Sequence, residues 1–288
     1  MPIRLHENNP SLFLEALSFT AAETGFLPRL IEKDYFCSVV LEDLAALDTA
    51  LVFKGGTLLA KVHSGFYRLS EDLDFSICTA VDATKKQRSQ AVAAIKPTIA
   101  SIASRLPGLR VDTPLTGSNG STQYNAVLSY PSVLAEQRET IKVEIGLREP
   151  VVLEPERLSA RTLLMNPVRT GTALLAEFSI VSLNHLETMA EKLRAALCRR
   201  EVAIRDFFDI DHAVSTARFD TAAAELLALL RRKIAVNGTG AVDLSAARYD
   251  QLTAQLEAQL RPVLRSKDFE RFDLERAFST VVKAAQAL

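Results

Sequence analysis

The run Asp72-Leu73-Asp74-Phe75 constrains this chain more than any other stretch. Acidic and apolar residues alternate there with a period of two, the period of a β-strand, whose successive side chains leave opposite faces. The string LDFSI, residues 73–77, is therefore expected to be a strand that buries Leu73 and Phe75 in a core. Asp72 and Asp74 would then stand side by side on the other face. Just upstream, ALVFKGG is a short apolar run ending in two glycines, and TLLAKVHSGF after it has helical character. That order reads as a strand, a tight glycine turn and a short helix.

At 288 residues the chain is long enough for one large domain or two modest ones, and 48% hydrophobic residues supply a core. From Pro10 to about Leu47 the apolar residues recur at helical spacing, with Asn9 as a helix start, which predicts an N-terminal pair of helices. QRSQAVAAIKPTIASIASRL reads as a helix interrupted or bent near Pro97. LRVDTPL and TQYNAVLSY flank the turn-forming TGSNGS, and TIKVEIGL follows, so three successive antiparallel strands are expected. Beyond about Phe178 the pattern is helical to the end, broken by NGTG at 237–240. Pro150, Pro155 and Pro167 mark the stretch where a mixed half gives way to a helical half. The expected class is α+β: N-terminal helices over residues 1–50 packed on a core with a mixed sheet over 51–165, then a C-terminal helical domain over 166–288.

The formal net charge is −1, so a nucleic-acid partner would depend on local basic patches and is neither required nor excluded. No run of about 18 apolar residues is present, and MPIRLHENNPSLF lacks the basic-then-apolar order of a signal peptide. A cytoplasmic protein without a membrane partner is expected. Cys37, Cys78 and Cys198 form no CxxC pair and read as small core residues. His6, His63, His185 and His212 have no metal-ligand spacing. No GxSxG string or Cys/His pairing points to covalent catalysis.

Paired carboxylates two residues apart on a strand suit hard cations, because magnesium takes oxygen ligands. Two such ions activate an attacking hydroxyl and neutralise a leaving pyrophosphate. A glycine turn opening a helix lets backbone N–H groups approach a phosphate closely. Either feature alone is weak, since a DxD or a GG occurs by chance in many surface strands and turns. Their order along the chain is what carries the reading.

Five strings, IEKDYF (31–36), FKGGTLLAK (53–61), RLSEDLDF (68–75), IKVEIG (141–146) and AEKLRAAL...RDFFDI (190–210), fall in the order seen in one family. On these strings the chain resembles the AbiEii/AbiGii toxin family of nucleotidyltransferases, which includes the MenT-like toxins of toxin-antitoxin systems. The resemblance covers about residues 10–210. It implies a polymerase-beta-like nucleotidyltransferase core, an NTP as donor with two magnesium ions, and pyrophosphate release. It further implies a growth-inhibiting toxin with a cognate antitoxin and tRNA as the acceptor.

Position by position, the resemblance makes Lys54, Gly55, Gly56 and Thr57 the nucleotide-binding turn and Asp72 and Asp74 the catalytic metal ligands. Arg68 and Ser70 precede the aspartates, where a guanidinium and a hydroxyl would reach the triphosphate; the alternative is a surface arginine and a strand-capping serine. Glu144 shares a strand face with Lys142 and Gly146, and a third carboxylate there would bind one metal or take the acceptor's proton. A solvent-facing strand residue is its other reading. Lys192 lies beside the helical seam Leu186, Met189, Leu193 and Leu197. The resemblance makes it a phosphate contact, with Asp206 or Asp209 as a nearby carboxylate, whereas a solvated basic face and an Arg205–Asp206 ion pair are the plain alternatives. Glu32, Lys33 and Asp34 either support the site from behind or form an exposed charged turn.

For an RNA acceptor, Arg194, Arg199, Arg200, Arg231, Arg232 and Lys233 are the basic candidates. A protein acceptor is the alternative enzymatic reading, and a non-catalytic nucleotide-binding module is the alternative outside enzymes.

Overall fold

The structure is a computed structural model that describes residues 4–47, 50–169, 171–217, 219–236 and 238–288. The chain divides into two compact units, the first ending at Leu183 and the second running Asn184–Leu288. The first is mixed α/β and the second helical, and the class is α+β.

In the first unit a short α1 (Leu5–Asn8) leads into α2 (Pro10–Thr24) and α3 (Pro28–Ala46). Asn9 caps α2 by accepting the Leu12 N–H at 3.1 Å, and Pro10 occupies the first helical turn, where a missing N–H is harmless. Every residue of α3 from Leu30 to Leu41 is buried, including Glu32, Lys33 and Asp34. Seven strands form one mixed sheet in the order β3-β4-β5-β2-β1-β7-β6. They are β1 (Leu51–Lys54), β2 (Asp72–Ile77), β3 (Arg110–Ser118), β4 (Gln123–Pro131), β5 (Arg138–Gly146), β6 (Glu156–Ala160) and β7 (Phe178–Ser182). Strand β2 is central, antiparallel to β1 and parallel to β5. Leu73 and Phe75 are buried and Asp72 and Asp74 are partly exposed, as the alternation predicts.

The meander β3-β4-β5 is antiparallel as expected. The helix around Pro97 is broken into α5 (Lys85–Val92), α6 (Ile95–Ala100) and α7 (Ile102–Arg105). After the glycine turn comes α4 (Gly55–Leu58), which widens into a π-helical turn over Leu59–His63.

One expectation is corrected: residues 178–182, read as the start of the helical part, form strand β7. Its pairing explains why. It joins β1 in parallel through Phe53 and Ser182, and β6 runs antiparallel to it. Both strands are defined by partners distant in sequence, and β6 is mostly exposed and lacks clean alternation.

The second unit contains α8 (His185–Cys198), α9 (Ile204–Ala217), α10 (Ala224–Ile234), α11 (Ala246–Gln255), α12 (Ser266–Arg271) and α13 (Leu274–Gln286). Phe207 of α9 stacks on Phe278 of α13 with ring centroids 5.9 Å apart. The buried Arg248 donates to the carbonyls of Ala196 and Arg199, satisfying the open end of α8. No described helix is long and apolar enough to cross a membrane.

Candidate active site

Strand pairing assembles the site in the first unit. In register with Asp74 stand Lys54 on β1 and Glu144 on β5, while Asp72 faces Lys142. Because residues two apart share a face, Asp72 and Asp74 lie on the polar side of the central strand. Gly55 begins the next turn with φ +79°, a left-handed conformation that side chains rarely adopt. A Cβ added there would fall 2.9 Å from Asp74 Cβ and would overlap the carboxylate itself. The turn therefore approaches Asp74 as closely as a backbone can.

Gly56 makes the second close approach. A Cβ at this position would sit 3.2 Å from both Arg68 Cζ and Ser70 Oγ. Arg68 is 2% exposed and donates from Nη1 to the Leu69 carbonyl at 3.2 Å, so its guanidinium is held against the turn and is not the surface group of the alternative reading. Thr57 donates its hydroxyl to the Asp72 carbonyl at 2.6 Å, tying the glycine turn to the carboxylate strand. Lys54, Gly55, Gly56, Thr57, Arg68, Ser70, Asp72, Asp74 and Glu144 are thus one neighbourhood.

Glu144 is not a bare carboxylate: Lys142 donates to its Oε2 at 2.8 Å. Burial works against the charged Lys142 ammonium, but Glu144, with Asp72 and Asp74 beyond it, raises its pKa above the ordinary lysine value. Among the described residues no group of three His, Cys, Asp or Glu side chains is gathered closely enough to hold a metal unaided. Two partly exposed carboxylates are nevertheless what magnesium needs from a protein when substrate phosphates complete its shell. The Asp72–Asp74 pair fits that donor set.

Behind the site, α3 anchors four segments. Asp34 accepts from Lys61 Nζ at 2.6 Å and from the Leu163 N–H at 3.2 Å. Lys61, fully buried, also donates to Ser38 Oγ at 2.7 Å and to the Asp34 carbonyl at 3.2 Å, so all three ammonium protons are placed. Lys33 reaches Glu71, the neighbour of Asp72, at 3.2 Å. Glu32 accepts from Val133 N–H at 2.6 Å and Ser132 hydroxyl at 2.7 Å; burial pushes its pKa up despite these bonds. The IEKDYF string is a set of internal struts, not an exposed turn.

In the second unit Lys192 lies between Asp206 and Asp209, 2.8 Å from each. Arg199 adds a contact to Asp206 at 3.1 Å. Burial works to raise the Asp206 pKa, yet Lys192 and Arg199 overcome it and hold the group below the ordinary carboxylate value. Lys192 is no exposed helix residue, as its side chain is only 12% accessible.

The family model for the nucleotidyl transferase AbiEii toxin of Type IV toxin-antitoxin systems matches residues 39–284. The chain belongs to this family. It is an AbiEii-family nucleotidyltransferase. Two solved Helicobacter pylori structures share its fold. JHP933 is 17% identical with a TM-score of 0.51 over 91% of this chain and 92% of its own. A protein described as a candidate nucleotidyltransferase is 18% identical with a TM-score of 0.50, over 90% and 93%. No curated protein matches the chain by sequence.

Two features of this AbiEii-family enzyme escaped the sequence reading. Lys142 was legible, since it shares a strand face with Glu144, but its pairing was not drawn from that spacing. The Lys61–Asp34 pair carries no local signal, because 27 residues separate the partners. Two expectations are corrected. Cys78 is exposed, while Cys37 and Cys198 are buried. Lys233, offered as a basic surface residue, is fully buried against Glu187 and lies 2.9 Å from Glu191.

Proposed function

We propose that the enzyme transfers a nucleotide from an NTP to an RNA acceptor, with tRNA as the natural class, in the cytoplasm as a growth-blocking toxin countered by a cognate antitoxin. The observation that carries the chemistry is the pressing of Gly55 and Gly56 against Asp74, Arg68 and Ser70. Phosphate-binding groups and metal-binding groups share one neighbourhood there. Asp72 and Asp74 would hold two magnesium ions, and Glu144 would join them once released from Lys142. Bound magnesium supplies charge neutralisation on the pyrophosphate side and polarises the attacking hydroxyl.

The chain's own groups divide the remaining work. Backbone N–H groups of the Gly55–Thr57 turn and the Arg68 guanidinium bind and orient the triphosphate, and the Ser70 hydroxyl and Lys54 ammonium add to that cradle. Glu144 is the group suited to receive the acceptor hydroxyl's proton.

Incubation with labelled NTPs, magnesium and total RNA tests this reading. Label is expected on RNA, label on protein would replace the acceptor, and no label would remove catalysis. Asp72→Ala and Asp74→Ala should each abolish transfer while circular dichroism stays native. Full activity in either variant would refute the assignment of the aspartates.

A further inference from the structure

Of the six basic residues of the second unit considered for RNA contact, three are engaged elsewhere. Lys233 is buried between acids, Arg199 holds Asp206, and Arg231 donates to the carbonyls of Ala287 and Leu288. Lys85 and Lys86 of α5 and Lys96 of α6 are exposed, and none forms an ion pair among the described residues. Lys85 and Lys86, with Ser89, Gln90 and Ala93, line an open groove.

That groove has a fixed floor. Arg88 donates to the Ala83 carbonyl and, at 3.0 Å, to the Gly120 carbonyl, fastening α5 to the turn that joins β3 and β4. The Tyr124 hydroxyl bonds to Ser89 and Ser121, and the Lys96 ammonium stands 5.3 Å from the Tyr124 ring centroid. The lysines do not serve the helix. They fill its first turn, which contains no acid, where the aligned peptide dipoles already place positive charge. A Thr84–Gln87 capping box supplies the stabilisation instead, with the Thr84 N–H donating to Gln87 Oε1 at 2.7 Å.

We propose that this groove binds the phosphodiester backbone of the acceptor RNA. The inference rests on the RNA-acceptor reading above. The neighbouring amino groups of Lys85 and Lys86 in this groove suit the repeating negative charges of a chain better than a single phosphate. The strand bearing Asp74 runs toward α5: from Asp74 to its end at Ile77 is about 10 Å at the usual rise, and α5 begins eight positions later.

The test is the double variant Lys85→Gln with Lys86→Gln in the full chain, probed with a labelled poly(U) oligomer and with bulk tRNA. Two lost phosphate contacts should make the slope of log affinity against log salt shallower by about 1.4, which at about 0.1 M salt is roughly a 25-fold loss of affinity. NTP binding should be unchanged and the thermal midpoint unchanged or higher, since two charges unfavourable to the helix are gone. Equal affinity and slope in variant and wild type, with wild type still labelling RNA, overturns the groove alone. Weaker binding at an unchanged slope also overturns it, because the contacts would not be to phosphates. A wild-type protein that neither binds nor labels RNA overturns the groove and the acceptor reading together.

Discussion

Gly55→Ala probes the junction of the phosphate turn and the carboxylate strand. Its φ of +79° lies in the left-handed region, where a Cβ costs about 1–2 kcal/mol. The added methyl would also lie 2.9 Å from Asp74 Cβ and 3.0 Å from its Cγ, well inside the ~3.5–4.0 Å of a favourable carbon contact. Neither side yields freely. Thr57 ties the turn to the Asp72 carbonyl at 2.6 Å, and Asp74 is locked in register between Lys54 and Glu144. Forcing Asp74 off its rotamer adds about 0.5–1.5 kcal/mol, so the loss of stability should reach about 1.5–3.5 kcal/mol. Gly65→Ala is the control, since φ is +71° but the nearest atom to its added Cβ is Arg161 Nη2 at 3.8 Å. It should lose only about 1–2 kcal/mol. Urea unfolding measures both. In single-turnover transfer of labelled nucleotide, Gly55→Ala should fall about 100-fold, the usual effect of a 1 Å misplacement, while Gly65→Ala keeps wild-type activity. Equal activity in the two variants would show that the Asp74 position against the turn is irrelevant to transfer.

Three more outcomes follow from the packing. Lys192→Ala removes an ammonium 2.8 Å from both Asp206 and Asp209, and should destabilise by about 3–5 kcal/mol; a thermal shift as small as that of an exposed lysine would contradict it. Burial holds the pKa values of His6, His185 and His212 below the ordinary imidazole value. The unfolded chain titrates near ~6.5 and takes up protons the folded chain refuses, so stability should be full above that pH and decline as the pH falls below it; a flat profile of unfolding free energy would exclude this. Of the three cysteines, burial pushes the Cys37 thiol up to about 12 and raises that of Cys198, while Cys78 is exposed. A chromogenic disulfide reagent should therefore titrate one thiol rapidly in native protein, and the fast phase should vanish in Cys78→Ser.

The legible parts of the molecule are those in which chemistry and periodicity coincide. Asp72 and Asp74 announce themselves through alternation with Leu73 and Phe75, and Gly55 and Gly56 through their place between a strand and a helix. Asn9 before Pro10 marks the start of α2. Strands β6 and β7 were not legible, because each exists through pairing with residues far along the chain. The partners of Lys61, Lys192 and Lys233 were hidden for a related reason. A lysine reads as solvent-exposed from composition alone, and only the fold brings a buried carboxylate within 3 Å of each. Glu144 stands between these cases, its strand face evident and its Lys142 partner two residues away on the same face.

The struts of α3 bear on how far this enzyme can be trimmed. A chain begun at residue 51 would keep every residue of the glycine turn and both aspartates. It would also enclose the Lys61 ammonium without Asp34 and Ser38, leave Glu71 without Lys33, and free the Ser132–Val133 corner from Glu32. Each loss falls on a different segment, and two of them border the site, one just after the glycine turn and one beside Asp72. The smallest autonomous catalytic fragment must therefore include the helix that opens at Pro28, and transplanting the glycine turn and its strand alone into another scaffold would carry the ligands without the frame that aims them.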